Sequence, residues 1–590
     1  MKVRVLLPVL TLSAALLAGP AAAEAAKCDF ARIAELPVTM NGYVPVVSVR
    51  INGQPAQLTL DTGAFHSVLS PEAAERLGVR KLTTGDLRIR GATGEGWAEV
   101  GQADSFQFAG YDMGRTQFVL AGHGTGARNA GVLGQNILGG EDVEYDLAGG
   151  MVRLFKAQNC RDADLAYWTD KPAGAIPIEP TINNRATIVG KAKVNGQTVR
   201  VLFDTGAARS MLSLDASRRL GVKLNASEVH AGGLSAGITG KLAESWIAPF
   251  DSFSLGEEEV RNVRLPIGDI NLPGVDLLLG ADFFLSHRIL VAHSQNRLYF
   301  TYNGGPVFRA DADAAPKLSG EAAEGAGAAL DAGGYDRRAM ASMTRRDYGA
   351  AIADFDRAIA LQPSNPRHYV GRAQARLMSN DQAGALADFD HALTLAPSIL
   401  AALFGRAEVE LAQGQDAKAK ADFDRATAAE GADEGLPLRI AAAYEQAGRF
   451  EQAVASYGAW IAGHAKDALL PRILIDRCRA RGLWGHELNE ALTDCEAGMK
   501  RGERNSQALD ASGLVKLRLG RFDHALADYD AALRLQPKLA WALYGRGLAK
   551  QGRGKPEDGA ADIDAALALN PKLAEVARRA GLRDARAGAR

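Results

Sequence analysis

The chain has 590 residues, with 68 lysines and arginines against 69 aspartates and glutamates, and a formal charge of −1 at pH 7. Because this balance includes no large basic block, it does not indicate a nucleic-acid partner. Beyond the N-terminus, no apolar stretch reaches the about 18 residues that predict a membrane-spanning helix, so we expect no stable membrane insertion.

The first residues predict an exported protein. Lys2 and Arg4 precede an apolar run over residues 5–19, and the alanines at 21–23 offer an A-x-A cleavage site. This pattern is typical of a secretory signal peptide, placed at residues 1–23, and predicts a periplasmic or secreted protein, bacterial by its alanine-rich signal. No cysteine ends the run, which argues against a lipoprotein anchor and leaves an uncleaved anchor as the alternative.

One tetrapeptide, Asp-Thr-Gly-Ala, occurs twice in similar surroundings, at residues 61–64 and 204–207. Each copy follows a short apolar run, and each is followed by a serine-bearing apolar stretch, at 67–70 and 210–213. An Asn-Gly-Gln sequence stands nine residues before each aspartate and predicts a hairpin turn that leads into the strand carrying it. The repeated unit is therefore longer than the tetrapeptide.

The duplication continues downstream of both tetrapeptides. Asp-Ser-Phe recurs at 104–106 and 251–253, and an apolar-apolar-glycine motif recurs at 132–134 and 278–280. Short β-branched runs interrupted by glycine and asparagine are more frequent here than helical spacing of apolar residues. Two small all-β domains are therefore predicted.

These features resemble the retropepsin-like aspartic proteases, over about residues 40–302. In that family an apolar strand ends in Asp-Thr-Gly-Ala, a glycine-rich flap hairpin follows, and an apolar-apolar-glycine motif precedes a short helix. The resemblance implies two all-β halves in one chain, at residues 24–165 and 166–302, and one catalytic aspartate from each half, Asp61 and Asp204. Since both halves are present, the protease unit is expected to be monomeric.

The chemistry of such a pair follows from its electrostatics. Two carboxylates about 3 Å apart cannot both ionise at low cost, so they share a proton and supply one base and one acid. The base would activate a water against a peptide carbonyl, and the acid would hydrogen-bond the carbonyl oxygen. The family implies that the neighbouring threonines link the halves and that the glycines allow close backbone approach: Thr62, Thr205, Gly63 and Gly206. It implies substrate contacts at the following alanines and at flap glycines: Ala64, Ala207, Gly91, Gly94, Gly233 and Gly237.

The chain departs from the retroviral pattern after the apolar-apolar-glycine motif. Retroviral members have an arginine directly after that glycine, whereas this chain has Gln135 and Ala281. The loss puts an ion-pair network between the halves in doubt, but not the aspartate pair. Asn136 and Asp282 then stand where they could cap the short helix.

Other chemistry has little support in the sequence. His66 and His123 lie near the motifs without metal-ligand spacing. The glycine-rich segment at 91–96 resembles a phosphate loop only faintly because it lacks the lysine, and a flap is the better interpretation. No metal and no cofactor are therefore expected.

The sequence changes character after residue 302. Residues 303–336 are rich in alanine, glycine and acidic residues, which is typical of a flexible linker. Beyond the linker, Asp-Phe-Asp recurs at 354–356, 388–390 and 422–424, at intervals of 34 residues.

A 34-residue period resembles the tetratricopeptide repeat. The family implies a right-handed solenoid of about six or seven helix pairs, here over residues 337–585, with a concave groove for a protein partner. The recurring aromatic residues are expected in its core. Gly371, Gly405 and Gly545 stand eighteen residues before that aromatic position, where a small residue would let the two helices approach.

Four cysteines allow three disulfide connectivities. An oxidising compartment favours pairing, and proximity favours Cys28 with Cys160 and Cys478 with Cys495. Cys28 and Cys160 bracket the first β-domain, whose terminal strands tend to lie close in the resembled protease family. In a tetratricopeptide unit, Cys478 would fall on the first helix and Cys495 on the second.

Two functional hypotheses follow. The leading one is an aspartic endopeptidase that hydrolyses protein or peptide substrates, with helical repeats that hold substrate or partner proteins. The alternative is a non-catalytic, protein-binding scaffold with degenerate protease halves. The presence of both aspartates, both threonines and both glycines favours the enzyme.

Overall fold

The structure is a computed structural model that describes residues 28–82, 87–91, 94–121, 129–179, 188–226, 228–236, 242–270, 272–304, 307–308, 330–429, 435–465, 467, 469–584 and 586. The chain divides into two compact units, residues 1–329 with 340–345 and residues 330–339 with 346–590. The predicted signal peptide at 1–23 lies outside the described residues. Among the described residues, no helix combines the length and apolar character needed to cross a membrane.

The first half of the first unit is built from short strands and two short helices. The strands are β1 (Asp29–Asn41), β2 (Val44–Ile51), β3 (Gln54–Leu60), β4 (Val68–Leu69), β5 (Arg80–Lys81), β6 (Leu87–Gly91), β7 (Gly94–Ala103), β8 (Phe106–Phe108), β9 (Tyr111–Asp112), β10 (Thr116–Leu120), β11 (Gly131–Leu133), β12 (Asp142–Asp146) and β13 (Met151–Gln158). The helices are α1 (Pro71–Arg76) and α2 (Gln135–Leu138).

The second half repeats this plan. Its strands are β14 (Gly174–Pro177), β15 (Val189–Val194), β16 (Gln197–Phe203), β17 (Met211–Ser213), β18 (His230–Ala236), β19 (Leu242–Leu255), β20 (Glu258–Gly268), β21 (Leu277–Leu279), β22 (His287–Ala292) and β23 (Arg297–Tyr302). Its helices are α3 (Leu214–Arg219) and α4 (Ala281–Ser286). The predicted all-β protease-like halves are thus confirmed.

The strands that lead into the two aspartates have equivalent neighbours. β3 runs parallel to β11, and β11 runs antiparallel to β4. In the second half, β16 runs parallel to β21, and β21 runs antiparallel to β17. In both halves the aspartate therefore follows a central strand whose partner carries the apolar-apolar-glycine motif.

The two halves share one sheet. Its strand order includes β14-β23-β22-β12-β13-β1, and the pairing of β12 with β22 joins the halves. The large buried side chains of both halves, including Phe106, Phe203 and Phe283, belong to one continuous core. The aspartate loops thus lie on a common framework.

Both Asn-Gly sequences form the predicted two-residue hairpin turns. Asn52 and Gly53 have φ angles of 50° and 76°, which match the turn preferred between right-twisted strands. The side-chain oxygen of Asn52 also accepts hydrogen bonds from the backbone amides of Asp104 and Ser105, at 2.8 and 3.1 Å. Asn195 binds the second Asp-Ser-Phe segment in the same way. The hairpin asparagine therefore contacts the backbone of the Asp-Ser-Phe segment in both halves.

The second unit is an array of antiparallel helices. They are α5 (Ala332–Thr344), α6 (Tyr348–Leu361), α7 (Pro366–Met378), α8 (Gln382–Leu395), α9 (Leu400–Ala412), α10 (Asp416–Ala428), α11 (Leu436–Gln446), α12 (Phe450–Gly463), α13 (Leu470–Trp484), α14 (Leu488–Lys500), α15 (Ser506–Arg518), α16 (Phe522–Leu535), α17 (Ala540–Gly552), α18 (Pro556–Leu569) and α19 (Leu573–Arg579). The described residues thus contain seven helix pairs and a final helix, which agrees with the predicted solenoid.

The predicted linker at 303–336 is too long at both ends. Val307 and Phe308 are buried, and Phe308 packs edge-on against Phe253 with ring centroids 4.8 Å apart. At the other end, α5 begins at Ala332, five residues before the predicted start of the array. The alanine- and glycine-rich composition of this segment did not reveal its two buried apolar residues or the first turn of α5. Most of the segment lies outside the described residues.

The repeat glycines contact the aromatic residue of the preceding repeat, not the one eighteen residues downstream. A Cβ atom at Gly371 would overlap the ring of Phe355, and one at Gly405 would overlap Phe389. Each glycine therefore makes room for the aromatic residue of the preceding repeat, sixteen residues earlier, since Gly405 follows Phe389 by that interval. Phe355 and Phe389 are buried, as expected of core residues.

Arginine–aspartate pairs repeat along the helical array. The first aspartate of each Asp-Phe-Asp motif is buried and accepts two hydrogen bonds from an arginine sixteen residues earlier. Arg372 with Asp388 and Arg406 with Asp422 follow this rule, and Arg546 binds Asp562 of an Asp-Ile-Asp sequence in the same way. Such two-point pairing compensates a buried carboxylate because both oxygens receive a charged donor.

Both cysteine pairs form disulfides. Cys28 and Cys160 have Cα atoms 4.5 Å apart, and Cys478 and Cys495 have Cα atoms 5.5 Å apart. Cys478 lies on α13 and Cys495 on α14, the first and second helices of one repeat.

Candidate active site

Each aspartate is held by the loop that it begins. Oδ1 of Asp61 accepts hydrogen bonds from the backbone amides of Gly63 and Ala64, at 2.9 and 2.8 Å. Oδ1 of Asp204 accepts the equivalent bonds from Gly206 and Ala207, at 2.9 and 3.3 Å. The two loops therefore orient their carboxylates in the same way.

The threonines after the aspartates link the two halves. The hydroxyl of Thr62 donates to the carbonyl of Phe203 at 2.8 Å and accepts from the amide of Thr205 at 2.9 Å. The hydroxyl of Thr205 donates to the carbonyl of Leu60 at 2.8 Å and accepts from the amide of Thr62 at 3.1 Å. Four reciprocal bonds between fully buried residues thus fix one aspartate loop against the other.

The glycines after the threonines bring each loop against the opposite carboxylate. A Cβ atom at Gly63 would overlap the carboxylate of Asp204, and one at Gly206 would overlap the carboxylate of Asp61. Only glycine therefore fits at these positions without moving an aspartate.

Asp61 and Asp204 are partly buried and hydrogen-bond each other. Burial raises the pKa of Asp61, while the hydrogen bonds from Asp204 and the loop amides lower it in part. Burial and the negative charge of Asp61 together hold the pKa of Asp204 well above its ordinary value. Because the pair titrates as a unit, it retains one proton where isolated aspartates would have lost both. The arrangement can therefore hold one ionised and one protonated carboxyl side by side.

In each half, one serine ties the aspartate loop to the short helix that follows the apolar-apolar-glycine motif. The hydroxyl of Ser67 accepts from the amide of Gly134 at 3.0 Å and donates to Oδ1 of Asn136 at 2.8 Å. Ser210, Gly280 and Asp282 make the equivalent contacts at 3.0 and 2.7 Å. The repeated serine-bearing stretch marks the tether serines in the sequence, but the tethers themselves were not predicted.

Asn136 and Asp282 do not cap the short helices, so that prediction is wrong. The helices begin two residues earlier than a cap at these positions requires, with Gly134 and Gly280 as the N-caps. The side chains of Asn136 and Asp282 are committed instead to the amides and hydroxyls of Ser67 and Ser210. Burial raises the pKa of Asp282 to about 6, although Ser210 and the amide of Phe283 donate to its carboxylate and lower it in part.

An ion-pair network joins the halves without the missing arginine. Glu144 on β12 is fully buried, and Arg153 of the same half and Arg288 of the other half bind its Oε1, at 2.5 and 2.9 Å. The hydroxyl of Tyr167 donates to the remaining oxygen. The network that Gln135 and Ala281 put in doubt is therefore supplied by residues of the shared sheet.

The predicted substrate-contact residues lie in different parts of the two halves. Gly91 and Gly94 face each other at the end of the β6–β7 hairpin, and Gly233 lies in the β18–β19 hairpin. Ala64 and Ala207 donate to the aspartates through their backbone. Gly237 lies outside the described residues. Contact with a substrate stays a prediction for all of them.

The histidines near the motifs form no metal site among the described residues. His66 is exposed and packs against Phe65, with ring centroids 4.6 Å apart. His123 lies outside the described residues.

Comparison with known families agrees with this geometry. The aspartyl protease family model matches the chain twice, at residues 47–139 and 190–283, and a tetratricopeptide-repeat model matches residues 513–554. The chain thus carries two aspartyl-protease-like halves and a run of helices consistent with a tetratricopeptide array. Each protease match contains one Asp-Thr-Gly-Ala loop together with its serine tether and its apolar-apolar-glycine motif.

Solved structures that match the chain include tetratricopeptide-repeat proteins. One from Parabacteroides merdae is 16% identical, with 42% of this chain and 96% of that chain covered and a TM-score of 0.35. The C-terminal part of one from Cytophaga hutchinsonii is 16% identical, with 41% and 98% covered and a TM-score of 0.31. Yeast Tom70 is 16% identical, with 42% and 52% covered and a TM-score of 0.29. No curated protein sequence matches the chain.

Proposed function

We propose that the protein is an exported aspartic endopeptidase with a single active site at Asp61 and Asp204. The observation that carries the proposal is the mutual hydrogen bond between these two carboxylates, held by loops that the threonines lock together. A protease-like fold that had become a pure scaffold would not need to preserve two partly buried carboxyls in contact, since burying a carboxyl is costly.

In the proposed reaction, the carboxylate of Asp61 takes a proton from a water molecule as its oxygen attacks the peptide carbonyl. The protonated carboxyl of Asp204 donates a hydrogen bond to the carbonyl oxygen, where negative charge develops. The proton then passes to the leaving amine, and the peptide C–N bond breaks. The backbone amides of Gly63 and Gly206 hold the carboxylates in place throughout.

The helical repeats are proposed to hold a substrate or partner protein, because tetratricopeptide arrays generally serve as protein-interaction modules. Export is proposed from the N-terminal signal pattern and is supported by the two disulfides, which form and persist in oxidising compartments. The protease unit is proposed to act as a monomer because one chain supplies both aspartates.

The proposal is tested by replacing each aspartate with its uncharged analogue. Asp61→Asn and Asp204→Asn should each lower kcat for a mixed peptide library by about 10⁴-fold, with little further loss in the double variant, because the pair acts as a unit. Asp215→Asn is the matched control, since its side chain is 82% exposed and belongs to α3. Intact folds should be verified by circular dichroism.

Activity should also depend on pH, because the pair must carry one proton. Because burial and the charge of Asp61 raise the pKa of Asp204, the singly protonated pair persists to higher pH than isolated aspartates would allow and is lost as pH rises further. We therefore expect an acidic optimum and decline toward alkaline pH, measured as kcat/KM against pH. Near wild-type cleavage by both folded variants, or loss of wild-type cleavage with a chelator, would reject the aspartic mechanism; absence of wild-type cleavage at any pH would favour the scaffold.

A further inference from the structure

The C-terminal segment of the chain contacts more of the helical array than a further repeat would. This segment, residues 573–584, consists of α19 and the five residues after it. Because each repeat of a solenoid contacts only its neighbours, a helix that continued the stack would reach α17 and α18 alone. A Cβ atom at Gly448, in the turn between α11 and α12, would instead lie 3.2 Å from Cδ of Arg579. The C-terminal segment therefore crosses back to a helix pair three pairs before the last one.

The first helices of two repeats bind the backbone of the C-terminal segment. The guanidinium group of Arg518 on α15 donates a hydrogen bond to the carbonyl of Ala580. The hydroxyl of Tyr544 on α17 donates to the carbonyl of Leu582 at 3.3 Å. Since both acceptors are main-chain atoms, these two donors could bind the backbone of another polypeptide equally well.

The apolar residues of the C-terminal segment are buried in the pattern of a helix bound to a groove. Leu573, Ala577 and Ala580 are 1%, 0% and 7% exposed, and they stand at positions i, i+4 and i+7. This spacing places them on one face, as in amphipathic helices that bind the grooves of other proteins. They share a buried cluster with residues of α12, α13, α15 and α17, namely Phe450, Leu483, Leu514 and Leu548.

The helix of the C-terminal segment depends on the surface beneath it. α19 has seven residues, whereas isolated helices shorter than about 12 residues are marginal in water. Glu575 pairs with Arg578 and Arg579 of the same helix, so these charges bind within the segment. The segment is therefore ordered by its apolar and backbone contacts with the array, and it would lose its helix on release.

We propose that the C-terminal segment is an intramolecular ligand of the surface formed by α13, α15 and α17, and that a partner polypeptide binds there by displacing it. The partner would be an amphipathic segment with small or aliphatic residues at i, i+4 and i+7, whose carbonyls replace those that Arg518 and Tyr544 now bind. Because the tethered segment is present at an effective concentration on the order of millimolar, it lowers the apparent affinity of the partner. The proposal rests on the proposed docking role of the repeats and specifies the partner and its regulation.

The test measures whether the C-terminal segment exchanges with a free copy of itself. The probe is a labelled, end-blocked peptide of residues 571–586, and fluorescence anisotropy measures its affinity for the full chain carrying Asp61→Asn, so that the probe is not cut. Adding Ala577→Asp and Leu582→Asp to that chain places charges on the buried face and releases its own segment. We expect this released chain to bind the probe at least tenfold more tightly than the chain whose segment is intact.

A double-mutant cycle on the released chain checks where the probe binds. The side-chain amide of Gln551 on α17 donates to Oδ1 of Asp584 at 2.8 Å. Gln551→Ala in the chain and Asp584→Ala in the probe should each weaken binding about threefold, and the two together should cost less than the product of the separate losses. Leu535→Asp is the matched control, because it adds the same charge on α16 at a side chain that is 62% exposed, and it should change affinity less than twofold.

The intact segment gives a readout that does not depend on the fold of the released chain. An isotopically heavy copy of the probe is added in excess to the Asp61→Asn chain, and amide hydrogen exchange is followed by mass spectrometry. We expect residues 574–580 of the chain to exchange at least tenfold faster once the probe has taken their place, while the amides of α15 stay protected.

Three outcomes would overturn the proposal. Unchanged exchange of residues 574–580 at millimolar probe would make the segment a fixed cap of the array. A released chain that keeps its helical circular dichroism but binds the probe no more tightly than the intact chain would show that the segment blocks no binding surface. A cycle in which the two losses simply multiply would place the probe elsewhere. If the released chain unfolds, the exchange measurement alone decides. None of these results bears on peptide cleavage, which the aspartate variants test separately.

Discussion

Buried aspartates in the two units have opposite surroundings. In the β-unit, Asp61 and Asp204 receive hydrogen bonds from backbone amides and from each other, and burial raises both pKa values. In the helical unit, burial works to raise the pKa of Asp562, but hydrogen bonds from Arg546 and Lys550 outweigh it and lower that pKa. The same side chain thus has a raised pKa where no cation is supplied and a lowered pKa where a cation is paired with it.

The largest effect in this comparison is expected when the two aspartates of the β-unit are forced apart. Gly63→Ala or Gly206→Ala would place a methyl group into the opposite carboxylate, so the pair must shift. We expect kcat/KM to fall by about 10²-fold or more, since displacements near 1 Å have that effect. Gly140→Ala is the matched control, because no atom lies within 4 Å of its added Cβ. Equal activity of Gly63→Ala and Gly140→Ala would contradict the described contact.

The pairing in the helical unit is probed by removing one cation. Arg406→Met leaves Asp422 buried without its two-point partner, and we expect a loss of about 2–4 kcal/mol in the unfolding free energy of the helical transition. Arg425→Met is the control, because Arg425 also contacts Asp422 but is 46% exposed, so its removal should cost under about 1 kcal/mol. Urea denaturation followed by circular dichroism measures both. Equal losses would show that two-point pairing adds nothing.

A smaller effect is expected where the two protease halves differ. Asp282→Asn places at this buried position the residue type that the first half has at its exposed counterpart, Asn136. Because the folded pKa of Asp282 is raised to about 6, its ionisation destabilises the fold above that pH and not below the unfolded value near 3.8. Asp282→Asn should therefore stabilise the β-unit by about 1–3 kcal/mol at pH 8 and have little effect at pH 4.

Thermal unfolding at the two pH values measures this difference. The reciprocal Asn136→Asp variant should change stability by less than about 1 kcal/mol, because residue 136 is exposed and its charge would stay hydrated. Stabilisation by Asp282→Asn that is as large at pH 4 as at pH 8 would show that the carboxyl does not titrate as described.

Sequence predicted the features that depend on local geometry or on repetition. The Asn52-Gly53 turn could be predicted because its positive φ angles favour these residues. The helix pairs could be predicted from a 34-residue period. The tether from Ser210 to Asp282 spans 72 residues, and the Glu144–Arg288 pair spans 144. No local pattern specifies such contacts, since they depend on which strands the fold brings together.

The same limit explains the errors. Asn136 looked like a helix cap because its residue type and position suit that role, but the competing partner, Ser67, is 69 residues away. The spacing related Gly405 to the aromatic position eighteen residues later, but the residue packs on Phe389, sixteen residues earlier. A sequence period fixes the spacing of a repeat and leaves open which neighbour each residue meets.

The strand pairing between the halves has a consequence for how the β-unit folds. β12 and β22 each follow the short helix of their own half, and they pair antiparallel with Val143 opposite Val291 and Tyr145 opposite Ile289. Equivalent strands thus meet about an approximate two-fold axis, as in a symmetric dimer interface. If one half unfolded alone, the other would expose a bare strand edge able to pair with a second molecule. The halves should therefore melt in one cooperative step, whereas the helical array, whose repeats pack mainly on their neighbours, can fray from its ends.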